Sequence, residues 1–279
     1  MKKWLYLLIG LALVAGKCKK DNEEDNGSEE QTYECLPKEI DYIDHDDALE
    51  NDNTVYFYKG NAIDYKVYNY TRSDSTPGSY NLKYYYTDKS KGLLDRIDIV
   101  IQGSVVAKIV YTTQNDRITH RKLQVISNDG SQWFDAWDVD YTYDGNGKMV
   151  EARIQDYDLW NDGANPTDET AVYTYTGDNA TDVKYYDTSD LQTVKEEYEF
   201  EYDQGKRSFD NVVTQTYPQT RVNNVTRTIH HVYVPAPGST YETTTTIQYN
   251  GKGFPTQFAT MDDRNNPVST TSVTYDNCE

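Results

Sequence analysis

Apolar side chains recur along most of this chain at every second position. In Val139-Asp140-Tyr141-Thr142-Tyr143 and Glu197-Tyr198-Glu199-Phe200-Glu201-Tyr202, aromatic or β-branched residues occupy one parity and acids or threonines the other. That is the period-two pattern of a strand with one apolar and one wet face. The runs close on a tyrosine followed by a polar turn, as in Tyr58-Lys59-Gly60-Asn61, Tyr86-Thr87-Asp88, Tyr143-Asp144-Gly145-Asn146-Gly147 and Tyr202-Asp203-Gln204-Gly205. Gly, Asn and Asp tolerate the positive φ of tight hairpin turns, so the repeating unit is a β-hairpin. Segments 97–101, 150–154 and 212–215 read as returning strands. The anchoring tyrosines are Tyr58, Tyr86, Tyr111, Tyr143, Tyr175, Tyr202, Tyr249 and Tyr275, with separations of 28, 25, 32, 32, 27, 47 and 26 residues. This is too uneven for a strict solenoid.

Two strands per unit predict roughly fourteen to sixteen strands in an all-β antiparallel meander of repeated hairpins. Its apolar face needs a cover, and a flat open sheet of that size is unusual. The expected architecture is a single curved sheet, a half-barrel or a partly open barrel. The nearest helical candidate, the weakly amphipathic stretch 40–50, reads equally as loop.

Residues 1–17 depart from this pattern. Met1-Lys2-Lys3 is basic, and the apolar run from Trp4 to Val14 is too short to span a bilayer but has the length of a signal-peptide core. Ala15-Gly16-Lys17-Cys18 resembles the lipobox of bacterial lipoproteins, which implies cleavage before Cys18 and its lipidation; Lys17 departs from the usual small residue, and an ordinary secretory signal is the alternative. Residues 18–34 carry Lys19-Lys20-Asp21-Asn22-Glu23-Glu24 and no apolar cluster that could order them. They read as an acidic flexible tether ahead of a β-domain at 35–279.

Composition sharpens the reading. Tyrosine supplies 27 of 279 residues, and 27 basic residues face 46 acidic ones for a net charge of −19. Loss of residues 1–17 removes three lysines and leaves −22. A chain this acidic lacks the basic face that phosphate neutralisation requires, which argues against a nucleic-acid partner and against docking on anionic lipid. If Cys18 carries lipid, Cys35 and Cys278 remain, in a compartment where disulfides persist, and are expected to pair, with two free thiols as the rival. Pairing would make the first and last strands neighbours, or fold a terminal segment back over the sheet.

The unit Tyr141-Thr142-Tyr143-Asp144-Gly145-Asn146-Gly147-Lys148 resembles the Tyr-Asp repeat of Rhs-type shells. The whole chain, from lipobox through acidic tether and degenerate Tyr-Asp hairpins to the C-terminal Tyr-x-x-Cys, is more similar to uncharacterised Bacteroidetes lipoproteins with a porin-like β-domain, over residues 54–277. Lys20-Asp21 matches the export step of their surface-exposed members, and Asp74-Ser75-Thr76 resembles a Bacteroidetes O-glycosylation motif. The resemblance implies a lipid-anchored outer-membrane protein facing the cell exterior, with no catalytic residues to carry over. It does not imply a pore, because the strands place Lys, Glu and Thr too freely for a lipid-facing band.

No nucleophile elbow, P-loop, dinucleotide fingerprint or zinc-binding helix is present, so no enzymatic activity and no cofactor are expected. His230-His231 lie in a strand-like run and point to opposite faces, so they cannot share an ion. Read from Asp158, the loop 158–169 places Asp158, Asp162 and Glu169 at positions one, five and twelve of a calcium loop, with Gly163 at six. Trp160 at position three, Pro166 and strand-like flanks depart from it. A polar hairpin loop is the competing reading. Trp133, Trp137 and Trp160 are close enough in sequence to share an edge that stacks on sugars, although aromatic burial accounts for them equally. The expected function is a non-enzymatic surface lipoprotein that scaffolds or binds an extracellular ligand, a glycan or an envelope protein. The alternative is a glycan-binding module beside an outer-membrane polysaccharide uptake system.

Overall fold

A computed structural model describes residues 35–71, 76–127, 129–157, 167–234 and 238–278. The leader, Cys18, the tether, Asp74, Ser75, Asp158, Trp160 and Asp162 lie outside these residues. Sixteen strands follow one another: β1 Leu36–Asp44, β2 Asp52–Lys59, β3 Ala62–Thr71, β4 Pro77–Asp88, β5 Leu93–Ile101, β6 Ser104–Gln114, β7 Arg117–Ile126, β8 Trp133–Tyr143, β9 Met149–Asp156, β10 Thr167–Thr176, β11 Asn179–Asp187, β12 Asp190–Tyr202, β13 Val225–Val232, β14 Ser239–Tyr249, β15 Pro255–Asp262 and β16 Pro267–Asp276. Every strand pairs antiparallel with its chain neighbours, and β1 pairs with β16.

The sheet is therefore a fully closed barrel, not the half-barrel or partly open barrel that the pattern predicts. Closure is settled at the seam. Eight residue pairs from Leu36↔Asp276 to Asp44↔Ser269 join the first and last strands, and the Cys35–Cys278 disulfide, with Cα atoms 4.4 Å apart, caps them. A closed sheet has no edge and leaves no ladder group unpaired. Stretch 40–50 is strand β1 followed by a single 3-10 turn, Ala48–Glu50, rather than a helix.

The tyrosine anchors have a structural cause. Tyr58, Tyr86, Tyr143, Tyr175, Tyr202 and Tyr275 each donate from the phenol to a backbone carbonyl on the preceding strand: Pro37, Ile63, Ile118, Met149, Ala180 and Pro255, at 2.5–2.7 Å. A β-bulge precedes the tyrosine in five of these strands, β2, β4, β8, β10 and β12, as in Thr142/Tyr143 and Thr174/Tyr175. The bulge breaks the period of two and re-aims the ring. The aspartate of the Tyr-Asp step serves the turn: Asp144 accepts the N–H groups of Asn146 and Lys148, and Asp203 that of Gly205. The same alignment corrects one anchor. On β6 the bulge falls between Thr112 and Thr113, so Thr113, not Tyr111, holds the anchor position, and Tyr111 belongs to the apolar row two residues earlier.

Burial pushes the phenols of Tyr86, Tyr143, Tyr175 and Tyr275 up to about 12, so they stay protonated donors at neutral pH. Tyr175→Phe keeps the ring but leaves the Met149 carbonyl without its phenol. A loss of about 1 kcal/mol in urea unfolding is expected, and an unchanged midpoint would show that the anchor bond adds nothing.

Residues 203–224, between β12 and β13, form no strand, against the expectation for 212–215. They make a strap across one barrel mouth. Phe209 packs on Tyr56 of β2, the Val213 amide donates to Asn61, the Gln215 amide to Gly92, and the Ala180 amide to Thr220. The Thr214 hydroxyl accepts from the Ile63 amide and hydrogen-bonds Tyr86. Strap contacts thus reach β2, β3, the β4–β5 turn and β11.

Candidate functional site

The strap decides which face of the sheet is internal. It packs on Tyr56, Ile63 and Arg121, and cross-strand register places Tyr68, Tyr84, Ile97, Tyr111, Leu123, Val139, Tyr141, Ala152, Ala171, Tyr173, Val183, Tyr185, Tyr198 and Phe200 on the same parity. Two packed clusters form there, one around Leu94, Tyr84 and Tyr111 beneath the strap and one around Val139, Ala152 and Ala171. The remaining arc of the lumen wall is mixed, with Thr228, Thr243, Thr245, Thr260, Ser269 and Thr271 on β13–β16 beside His230, Ile247, Phe258 and Asp262.

The other parity faces outward and is charged. It carries the ion pairs Arg96–Asp98, Lys122–Asp135, Arg153–Asp168, Lys184–Glu197 and Arg227 with both Glu201 and Glu242. A barrel that spans a bilayer presents an apolar band on its outer wall, and here these outward positions carry ion pairs.

On that wall a cleft of about 310 Å³ runs between β11, β12 and β13, lined by Asp182, Glu199, Glu201 and Arg227. Asp182 and Glu197 lie across β11 and β12 and hydrogen-bond each other. Burial, then the bond to Glu197, pushes the Asp182 carboxyl up to about 6. Glu197 is pushed up by burial but held below its usual range by hydrogen bonds from Tyr233, Asp182 and Lys184. Asp182 therefore holds its proton more tightly folded than unfolded, a stabilisation complete below pH 4 and lost as pH rises through about 6. Asp182→Asn, which donates to Glu197 without a proton, is expected to raise Tm at pH 8 and to leave it unchanged at pH 4. A gain equal at both pH values would refute the shared proton.

Three of the ligand-site candidates read from the sequence, Trp133, Trp137 and Glu169, fall in described residues. Trp133 lies on the outer wall with the Lys108 ammonium 4.3 Å from its ring. Trp137, paired with Leu123, lies in the lumen. The two present no common platform, because four residues and the β-bulge beside Gln124 put them on opposite faces. Glu169 accepts the Lys195 ammonium at 2.5 Å, as a paired strand residue. His230 stacks on Tyr198 at 4.1 Å and pairs with Glu196 inside, whereas His231 pairs with Glu199 outside.

Sequence reasoning missed three features. His120, Asp138 and Asp140 bring ligand-type atoms within 4.8 Å on the outer wall. Their charges are met by each other, by the Tyr157 hydroxyl on Asp138 at 2.6 Å and by Lys122 at 4.0 Å. The second feature is the strap, whose signal was the 47-residue gap between Tyr202 and Tyr249. The third is Arg121, set in the lumen beneath the strap. Its guanidinium lies 4.6 Å from the Trp137 ring and 4.0 Å from that of Tyr217 on the strap.

The mouth opposite the strap has its own character. Ile43, Leu49, Val105, Trp133, Phe134, Leu191, Tyr233 and Val234, all well exposed, lie on the strand ends and connections of that rim. The disulfide and both ends of the described chain lie at the strap end.

Two solved structures share this architecture. A porin-like protein from Bacteroides uniformis superposes with a TM-score of 0.53 at 12% identity, covering 85% of this chain and 96% of its own. The fold is porin-like. A second such protein, from Bacteroides vulgatus, matches with a TM-score of 0.53 at 10% identity, covering 87% and 99%. No protein-family model and no curated protein matches the sequence. At these identities the porin-like likeness concerns the fold alone, and it agrees with the porin-like β-domain expected from the Tyr-Asp hairpins.

Proposed function

We propose that this protein is a non-enzymatic envelope lipoprotein, held to the outer membrane by lipid on Cys18, whose porin-like barrel stands outside the bilayer and receives a ligand in its lumen. The observation that carries the reading is the distribution of charge: ion pairs cover the outer wall, and tyrosines line the inner one. The tether leads into Cys35 at the strapped end. The rimmed mouth then faces away from the membrane and serves as the entrance. In this reading the barrel faces the cell exterior, and neither calcium nor another cofactor takes part.

The test is fractionation. Residues 35–279, secreted without the leader, should purify as a folded species without detergent, while the full chain should incorporate labelled palmitate and sediment with membranes unless Cys18 is replaced by alanine. A 35–279 fragment that stays folded only in detergent micelles would overturn the water-facing wall. Membrane retention of the Cys18→Ala chain would overturn the anchor.

Trp137 in a tyrosine-lined lumen favours a second reading, a glycan-binding module of a polysaccharide uptake system. A glycan array probed with the wild type and with Trp133→Ala, Trp137→Ala and Trp160→Ala variants separates the two: binding lost at Trp137 supports the module, and silence across the array leaves the scaffold reading ahead.

A further inference from the structure

Arg121 is only 8% exposed, yet no carboxylate among the described residues lies within ion-pair distance. Arg96, Arg153, Arg207, Arg227 and Arg264 each find one, and of the other described arginines Arg117 and Arg221 are exposed, which leaves Arg121 as the buried one. Its contacts are neutral. One terminal nitrogen reaches the Thr216 carbonyl at 3.4 Å, the Tyr111 phenol shares a hydrogen bond, and the Trp137 and Tyr217 rings lie 4.6 and 4.0 Å from the guanidinium carbon. The Nε hydrogen is buried and has no acceptor. Burying a cation without a counter-charge is unfavourable, as is leaving a buried donor unmatched. Both deficits would be met by one carboxylate lying side-on to the guanidinium edge.

The surroundings narrow the carrier of that carboxylate. Tyr141 and Tyr173 are lumen-facing phenols close enough to feel the Arg121 charge, and Trp137 offers a ring face beside it. Such faces stack on the apolar side of a pyranose. Tyr217, which covers the guanidinium, is 62% exposed and belongs to the strap rather than to a strand, so it can swing without disturbing the sheet and give access to Nε.

We propose that the lumen floor formed by Arg121, Trp137 and Tyr217 binds a uronate, a sugar ring bearing a carboxylate. This rests on the lumen-binding reading above and adds the charge class of the ligand.

The experiment titrates tri-galacturonic acid and its methyl ester into the intact protein, using calorimetry and tryptophan fluorescence. The wild type should bind the acid at least about tenfold more tightly than the ester, as expected for a charged hydrogen-bonded pair. Arg121→Gln should abolish that preference, and Arg121→Lys, which keeps the charge but not the planar edge, should retain part of it. Far-ultraviolet circular dichroism and Tm of both variants check that the barrel is intact. Equal affinity for acid and ester, or an unchanged preference in Arg121→Gln, overturns the proposal. Ester binding that ignores Arg121 but vanishes in Trp137→Ala would overturn it while upholding lumen binding. Binding of neither probe overturns the uronate assignment, and the array then decides on lumen binding by itself.

Discussion

Replacing Cys278 by serine is expected to lower the free energy of unfolding by about 2–5 kcal/mol. The Cys35–Cys278 bridge joins residues 243 positions apart, and the loop-entropy argument places the gain from so long a loop near the upper end of that range. The bridge also sits where closure is decided. Beside it, the Cys35 amide donates to the Asn277 carbonyl, and Asn250 donates to the Cys278 sulfur. With the bond gone, β1 and β16 are held by their ladder, by the Lys38–Asp276 ion pair and by the bonds of His45 to Val268 and Thr270. Urea unfolding of wild type and Cys278→Ser under non-reducing conditions measures the difference. A loss under about 1 kcal/mol would mean that the strand ladder alone closes the barrel.

Gly92→Ala should be almost as damaging, for a different reason. Gly92 adopts φ +68°, and a Cβ there would stand 1.7 Å from the Val213 carbonyl oxygen and 2.4 Å from its carbon. Both belong to strap backbone, which cannot rotate aside as a side chain can. Alanine therefore adds a clash to about 1–2 kcal/mol of left-handed strain, and the strap must lift. A loss of more than about 2 kcal/mol is expected, together with faster hydrogen exchange at Val213 and Gln215, whose amides donate to Asn61 and Gly92. Gly103→Ala is the matched control: its φ is +82°, but nothing lies within 4 Å of the added carbon, so only the strain remains. Equal losses at the two sites would show that the strap is not seated on the turn.

These two positions also mark the limits of inference from sequence. Cys278 was legible because two cysteines remain once Cys18 is set aside, which is a simple count. Gly92 was not, because its neighbour is more than a hundred residues away in a segment with no periodicity. The candidate site divides in the same manner. Trp137 stands out in the sequence as a large aromatic residue, but its distance from Trp133 along the chain says nothing of a bulge that turns the two to opposite faces. Arg121 is one basic residue in a strand pattern, Arg117–Ile126, that alternates like its neighbours. Only the strap, folding back to lay Tyr217 over it, makes it a buried cation without a partner.

By itself the sequence determined most of the strands, the hairpins that join them, the parity that separates tyrosine from acid, and the bridge between the chain ends. All of these follow from interactions within a few residues or from a count of thiols. Closure, the assignment of the aromatic face to the inside, the strap and the lumen floor were decided only in three dimensions. Alternation specifies that a sheet has two unlike faces, but which of them is enclosed depends on the direction in which sixteen strands curl. That direction is set by burial of the tyrosine face against the strap and by the pairing of β1 with β16, contacts between residues that are remote in the chain.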